Sequence, residues 1–488
     1  MNFNREENVI FENSEIAEIN DPLVVDLDGT FINTDLLHEG IILLFKKNPL
    51  YIFLCLFWLT KGKACFKKNI FARVNLRYDL LPCNPELLVF LHKEYCKGRK
   101  LILATASPQE CARKIGEIYP IFDEIYGTKK INLKGTNKLK VLIDEFGAFK
   151  FDYIGNSKPD LRIFTSSRYS YLVNPSKSLE KKTKSVSNLK HSWKSQKVGL
   201  KDYLKAIRAY QWIKNLLIFV PLITSHSFSS VSVILQATWA FFAFSFAASA
   251  GYIINDILDL DSDRAHPGKK FRPFASGKLS IPRGLSLAFI LLVTGLFIAM
   301  QLNFFFSVIL TTYFVISLSY SIYFKKILLY DVFILALLYS IRVFAGAVVI
   351  SVSVSFWLIA FSIFIFLSLA FVKRYSELMK ISNNRGLEDR GREYRMGDLG
   401  LLQIMGIVSG FLSVVVFSLY INSPEVYELY TYPKILWAIS LLFLFWISRI
   451  WVITNRGNMT DDPIVFTIKD PHSYFIFSIV GLIIWISI

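Results

Sequence analysis

From about residue 200 onward the chain alternates apolar runs of roughly 20 residues with short charged loops, a pattern that restricts the fold more than any other feature. Backbone N–H and C=O groups in lipid must be paired within the structure itself, so continuous apolar runs of this length read as membrane-spanning helices. Hydrophobic residues make up 53% of the 488 positions and phenylalanine fills 43, which suits the same class. We place nine spans, at about 206–225, 231–254, 283–302, 303–323, 329–350, 355–372, 399–421, 432–453 and 471–488, the third and fourth forming a tight hairpin. Basic residues collect after the even-numbered spans: Lys269, Lys270, Arg272 and Lys278, then Lys325 and Lys326, then the stretch from Lys373 to Arg395, then Arg456 and Lys469. The alternate loops hold almost none. The basic loops therefore face the cytoplasm of a multi-pass inner-membrane protein, with the N-terminus on the same side. The net charge of +17 then belongs to a membrane surface rather than to nucleic acid.

The first third is different. Short apolar strands (PLVVDLDG, KLILATAS, FDYIGNS) alternate with charged amphipathic segments, so residues 20–175 read as a soluble α/β domain. The opening MNFNREENVIFENSEIAEIN is polar and acidic and predicts no cleavable signal peptide. The five cysteines, all in this third, show no metal-ligand spacing and read as packing thiols of a reduced compartment. Residues 176–200, rich in Ser and Lys, read as a basic linker to a membrane domain over 201–488.

At the end of the second span stands NDILDLDSDRAHP. On a continuous helix Asn255, Asp256, Asp259 and Asp263 would all fall within about 100° of one face. Bare carboxylates side by side near lipid repel one another and lose hydration, so they make sense around a divalent cation; carboxylate and amide oxygens suit Mg²⁺. The basic residues that follow, Arg264, Lys270 and Arg272 among them, complement a diphosphate. The bland alternative is a solvated helix end. This motif in this position, with RAHPGKKFRPFASGKLS after it, resembles the first aspartate-rich motif of the UbiA superfamily of intramembrane prenyltransferases. The resemblance implies nine transmembrane helices, an Mg²⁺-bound diphosphate and loss of pyrophosphate, with Asp256 and Asp259 at the catalytic centre.

The common members carry a second aspartate-rich motif after the sixth span. Here KRYSEL stands there, with Lys373, Arg374 and only Glu377 left as a metal ligand. Asp331 begins the fifth span and Arg342 lies about three turns into it, a depth at which a charge is costly and hence functional by default. MTDDPIVFTIKDPHSY adds Asp461, Asp462 and Asp470 before the ninth span. The AYQWIKN opening, which contains Lys214, together with KRxxEL and DDPIVFTIKD, resembles the branch of polyprenyl-phosphate phosphoribosyltransferases. That resemblance implies transfer of phosphoribose from 5-phosphoribosyl diphosphate to a polyprenyl phosphate, with Lys214, Asn255, Arg264, Lys270, Arg272, Arg342, Lys373 and Arg374 on the substrates. Two other readings stand beside it: prenylation of an aromatic acceptor such as 4-hydroxybenzoate, and a transporter whose basic loops serve topology alone.

In the N-terminal third, LVVDLDGTFINTDLL resembles the DxDGT signature of haloacid-dehalogenase-like phosphatases, and Thr105, Lys138 and GNSKPD follow in the family's order. The resemblance implies a Rossmann-like fold, with Asp26 as nucleophile and Asp28 as general acid/base. Thr105 and Lys138 would hold the phosphoryl group, and Asp26, Asp28 and Asp160 the Mg²⁺. Asn156 departs from the pattern, which usually has an acid there. The insertion at about 36–100 has the size of a small cap. It contains NPLYIFLCLFWLTKGKACFKK, whose apolar core is too short to span and fits either a buried cap helix or one lying on the membrane surface.

Overall fold

The computed structural model describes residues 21–129, 131–194, 198–226, 230–353, 355–383, 393–460 and 462–488. Asp461 and residues 384–392 of the basic loop lie outside them. The chain divides into two compact units, one holding residues up to Gly199 plus Asp263–Ile281, the other Leu200–Ser262 plus Pro282–Ile488.

The first unit begins with β1 (Leu23–Val25), then α1 (Leu36–Lys47), α2 (Tyr51–Thr60), α3 (Lys63–Phe71) and α4 (Pro85–Cys96). Next come β2 (Leu101–Pro108), α5 (Gln109–Ile118), β3 (Glu124–Thr128) and α6 (Thr136–Phe146). The unit continues through β4 (Asp152–Gly155), α7 (Leu161–Phe164), β5 (Ser170–Val173), α8 (Lys177–Val186) and β6 (Leu189–Trp193). All strand pairs are parallel, in the order β3-β2-β1-β4-β5-β6. Buried on both faces, the central strands are largely apolar where they pair: Val25 lies opposite Leu103 on one side and Ile154 on the other. The strand order reverses between β1 and β4, and ligands of such sheets bind at the carboxyl ends beside that reversal.

Residues 177–193, expected to be linker, instead form α8 and the sixth strand. Their Ser/Lys surface conceals a narrow apolar face. Ser176 caps α8, Leu179 and Thr183 are buried one turn apart, and Trp193 stacks on Tyr171 at 6.0 Å.

The second unit contains α9 (Leu200–Ala206), a 3₁₀ stretch Ala209–Phe219, α10 (Val220–Thr224) and α11 (Val231–Leu258). The six-residue α12 (Leu260–Ala265) crosses the division between the units. Then follow α13 (Ile281–Leu302), α14 (Phe304–Ile322), α15 (Tyr330–Val349), α16 (Phe356–Asn383) and α17 (Leu399–Ile421). The chain closes with α18 (Pro424–Leu429), α19 (Trp437–Asn455), α20 (Pro463–Lys469) and α21 (Pro471–Ser487). Among the described residues seven helices are long and apolar enough to cross a membrane, with α20 and α21 an eighth candidate bent by 79°. Nine spans were expected. The difference is the first, where Ala209–Phe219 is 3₁₀ and only five α-helical residues follow. At about 2 Å per 3₁₀ residue and 1.5 Å per α residue the two pieces still extend about 30 Å.

Helices in lipid associate by close packing, and the chain supplies small residues for it. Ala237, Ala240, Ala243 and Ala247 line the buried face of α11. In α15 a side chain at Gly346 would come within 2.1 Å of the Ile218 carbonyl, so only glycine lets the 3₁₀ stretch lie against that helix.

Candidate functional sites

In the first unit Asp26 follows the end of β1 and is buried, its Oδ1 accepting a hydrogen bond of 2.6 Å from the Lys138 ammonium. Lys138, on α6, also donates to the Ala104 carbonyl at 2.9 Å and to the Tyr153 hydroxyl at 3.0 Å. Burial pushes the Asp26 carboxyl up to about 6 against the opposing pull of Lys138, and nearby Asp160 adds to the rise. Asp28 is also raised by burial, then by Asp35. Its Oδ1 accepts from the Leu36 amide at 2.9 Å, and its Oδ2 from Ser107 at 2.8 Å and Thr105 at 3.3 Å. Gly29 has φ +74°, and a Cβ there would meet the Asn156 side chain at 2.2 Å, which explains the glycine of DLDGT.

The carboxyl ends of the central strands, with α6, thus gather Asp26, Asp28, Thr105 and Lys138. Asp160 sits behind them. It accepts from Tyr153 at 3.1 Å, the Asn156 amide at 3.2 Å, the Ser157 amide at 2.9 Å and the Ser157 hydroxyl at 2.6 Å, so it braces the β4 loop. Asn156 donates to the Asp28 carbonyl at 3.3 Å. Ser107 and Tyr153 escaped the sequence reading; Ser107 sits two residues past Thr105, and nothing in its local sequence marks it.

Also in this unit, Arg264 forms a buried fork with Glu39 at 2.6 and 3.1 Å and donates to the Ala275 carbonyl at 3.1 Å. Arg272 pairs with Asp263 at 2.7 Å, and Lys270 is exposed, 5.2 Å from the Phe271 ring. Two of the three groups expected on a diphosphate, Arg264 and Arg272, are thus engaged by α1 or by the loop itself.

In the second unit α11 ends at Leu258, with Asp259 as its C-cap. The expected continuous helical face through Asp263 is therefore broken after Asn255 and Asp256. Arg208, in the left-handed region at φ +50°, pairs with Asp256. Lys325 reaches Asp259 at 2.5 Å and the Asn255 side-chain oxygen at 3.5 Å. Neither cation was singled out in the sequence as a site residue. Arg208 lies at the start of the first expected span, and Lys325 reads as an ordinary positive-inside residue.

A second group lies on the 3₁₀ stretch, α15 and α16. Arg342 donates to Asn215 at 2.8 Å, to Tyr313 at 2.8 Å and to the Leu338 carbonyl. Lys214 pairs with Asp462, which also caps α20, and lies 5.7 Å from the Tyr339 ring; the Arg342 guanidinium lies 5.6 Å from the same ring. Arg374 is held by Asp331 and by Glu377 at 2.5 Å, and Asp331 also accepts from Tyr394 at 2.5 Å. Asp470 caps α21 and pairs with Arg449 at 2.6 Å. Among the described residues no carboxylate forms an ion pair with Arg342 or Lys373. These two cations therefore have only neutral hydrogen-bond or ring partners, or longer-range charges, around them.

The described residues contain no group of three His, Cys, Asp or Glu side chains placed to hold a metal. The oxygen donors present are nonetheless of the kind Mg²⁺ takes, with remaining positions left to water and phosphate. They are Asn255, Asp256 and Asp259 in the second unit, and Asp26 with the Asp28 carbonyl in the first.

A model of the UbiA prenyltransferase family matches residues 217–479. The chain is 34% identical to an uncharacterized protein, y4nM, of Sinorhizobium fredii, over 94% of this chain and 90% of that one. It is 36% identical to a decaprenyl-phosphate phosphoribosyltransferase of Mycolicibacterium smegmatis, over 36% of this chain and 56% of that one. Among solved structures, a UbiA homolog from Archaeoglobus fulgidus bound to GPP and Mg²⁺ is 17% identical, with 59% of this chain and 99% of that one covered and a TM-score of 0.45. A HAD family hydrolase from Salmonella enterica is 16% identical over 35% of this chain and 68% of that one, with a TM-score of 0.27. This chain belongs to the UbiA prenyltransferase family.

Proposed function

We propose that the membrane unit transfers phosphoribose from 5-phosphoribosyl diphosphate to a polyprenyl phosphate, releasing pyrophosphate, on the cytoplasmic side of the inner membrane. One observation carries the reading. Arg342, buried within the fifth expected span, and half-buried Lys373, just past the end of the sixth, have no carboxylate ion-pair partner among the described residues, and a substrate phosphate supplies the missing anion. An aromatic acceptor such as 4-hydroxybenzoate brings a single carboxylate, whereas a phosphate monoester brings close to two negative charges and three acceptor oxygens. The relative from Mycolicibacterium smegmatis bears the name of this activity, which favours the same choice.

The chemistry asks little of the protein in proton transfer. The C1–O bond to pyrophosphate breaks as an oxygen of the acceptor phosphate bonds to C1, through a transition state with positive charge on the ribose. A phosphate monoester is mostly a dianion at pH 7, since its second pKa is about 6, so no general base is required. Mg²⁺, when bound, neutralises charge developing on the leaving pyrophosphate. Asn255, Asp256 and Asp259 would hold it. Arg208 and Lys325, now paired with Asp256 and Asp259, can exchange them for phosphate oxygens. Lys214, Arg342 and Lys373 hold the remaining phosphates, while Asp331 and Glu377 fix Arg374.

For the first unit we infer a phosphatase. Asp26 is the nucleophile, Asp28 the acid/base, and Lys138 orients the Asp26 carboxylate. Asp26 and the Asp28 carbonyl would hold Mg²⁺, with Asp160 bracing the loop that carries Asn156.

The test is pyrophosphate release by purified protein in Mg²⁺. The proposal expects turnover of 5-phosphoribosyl diphosphate only when polyprenyl phosphate is present. Turnover of a prenyl diphosphate with 4-hydroxybenzoate instead would replace it with aromatic prenylation.

A further inference from the structure

The cap helix α2 is inverted by the standards of a water-soluble surface. Only Cys55 and Trp58 of its apolar residues are fully buried, packed with Leu44 of α1 and Ile70 of α3. Its other faces present Ile52, Phe53, Leu54, Leu56, Phe57 and Leu59, with Phe53 68% and Leu56 62% exposed. A surface helix normally turns such residues inward, and a contiguous apolar patch of this kind marks a contact site.

Charge identifies the contact. Between Glu39 and Asp79 the chain has eight Lys or Arg and no Asp or Glu. Lys47 at the end of α1 and Lys61 and Lys63 beyond α2 are exposed, and the Lys61 ammonium lies 4.5 Å from the Phe57 ring, so cations border the apolar face at both ends. Apolar centre and basic rim complement the acyl chains and anionic head groups of a bilayer, and this chain is anchored in one. Ten α-helical residues extend only about 15 Å, too short to span and long enough to lie flat.

The same cap reaches the phosphatase site. Lys67 of α3 donates to the Ala106 carbonyl at 2.6 Å, next to Ser107, which holds Asp28.

We propose that α2 lies in the head-group layer of the bilayer and that the Asp26 site acts on phosphate monoesters anchored in that bilayer. The second half rests on the phosphatase reading above. In the reaction an Asp26 oxygen bonds to phosphorus as the bond to the lipid oxygen breaks, and Asp28 protonates the departing alcohol. Water then attacks the aspartyl phosphate, returns a proton to Asp28 and frees inorganic phosphate.

The experiment uses the full chain in nanodiscs of phosphatidylcholine and phosphatidylglycerol, with benzoylphenylalanine in place of Phe53, Phe57 or, as a control, the exposed Lys181 of α8. After irradiation, lipid adducts are expected at 53 and 57 and not at 181. Equal labelling at all three positions overturns the placement. Hydrolysis is then followed on phosphatidic acid in the disc and on soluble p-nitrophenyl phosphate. The F53E/F57E variant is expected to lose about 10-fold on the lipid ester and to keep its rate on the soluble one. Equal change on both esters overturns the substrate assignment. If the unaltered chain hydrolyses neither ester, the phosphatase reading and the substrate assignment fall, while the adducts still decide where α2 lies.

Discussion

Arg342→Met tests the anion requirement at its deepest point. Arg342 is 3% exposed and its guanidinium uses three of its five N–H groups on Asn215, Tyr313 and Leu338, which leaves two for phosphate. A hydrogen bond from a charged donor contributes about 1.5–3 kcal/mol. If that interaction is made to the reacting phosphate, its loss lowers kcat/KM by about 10- to 150-fold. The substitution also strands the Asn215 and Tyr313 oxygens at about 1–3 kcal/mol each, partly offset by removing a buried charge. The assay is pyrophosphate release at varied polyprenyl phosphate, alongside the thermal midpoint in detergent. Arg342→Lys keeps the charge without the fork and should recover part of the loss. A folded Arg342→Met variant within twofold of the parent kcat/KM would refute the reasoning, because the arginine would then be a structural strut.

The other predictions separate the two units and their chemistry. Asp26→Asn should abolish phosphate release and leave pyrophosphate release intact, whereas Asp259→Ala should lower pyrophosphate release by about 10²–10³-fold with phosphate release unchanged. In metal-free protein the Asp26 carboxyl is raised from 3.8 to about 6, so the folded chain takes up a proton there before the unfolded chain does. Its ionised form is penalised in the fold above pH 6, and that penalty is relieved as pH falls from 6 towards 4. Phosphatase rate should therefore fall as pH drops through about 6, with the midpoint moving lower as Mg²⁺ is added. Gly346→Ala should destabilise the membrane unit by about 1–3 kcal/mol, read as a lower thermal midpoint, because its methyl meets the Ile218 carbonyl.

Long-period patterns were the most legible part of the sequence. Seven apolar helices and the βα alternation from PLVVDLDG onward follow from hydropathy and turn residues, and DLDGT marks the end of β1 where Asp26 sits. Short amphipathic pieces were not legible. In α8 two buried residues, Leu179 and Thr183, are outnumbered by lysines and serines, and β6 is recognisable only once Tyr171 and Phe90 are there to receive Trp193. A helix template carried NDILDLDSD through to Asp263, but the chain leaves α-geometry at Asp259. Ion-pair choice was the least legible of all. Arg264 turns to Glu39, 225 residues away, and Lys325 to Asp259, 66 residues away, distances at which composition and spacing carry no signal.

The central claim is transfer of the phosphoribosyl group to lipid. Protein in nanodiscs with Mg²⁺ is given polyprenyl phosphate and 5-phosphoribosyl diphosphate carrying ³²P on its 5-phosphate, and radioactivity is counted in the organic extract. The account predicts label in the extract with both the lipid and the parent protein present, and label reduced by about 10²–10³-fold with Asp259→Ala. Label that stays in the aqueous phase, while prenyl diphosphate is consumed by the same preparation, would contradict it.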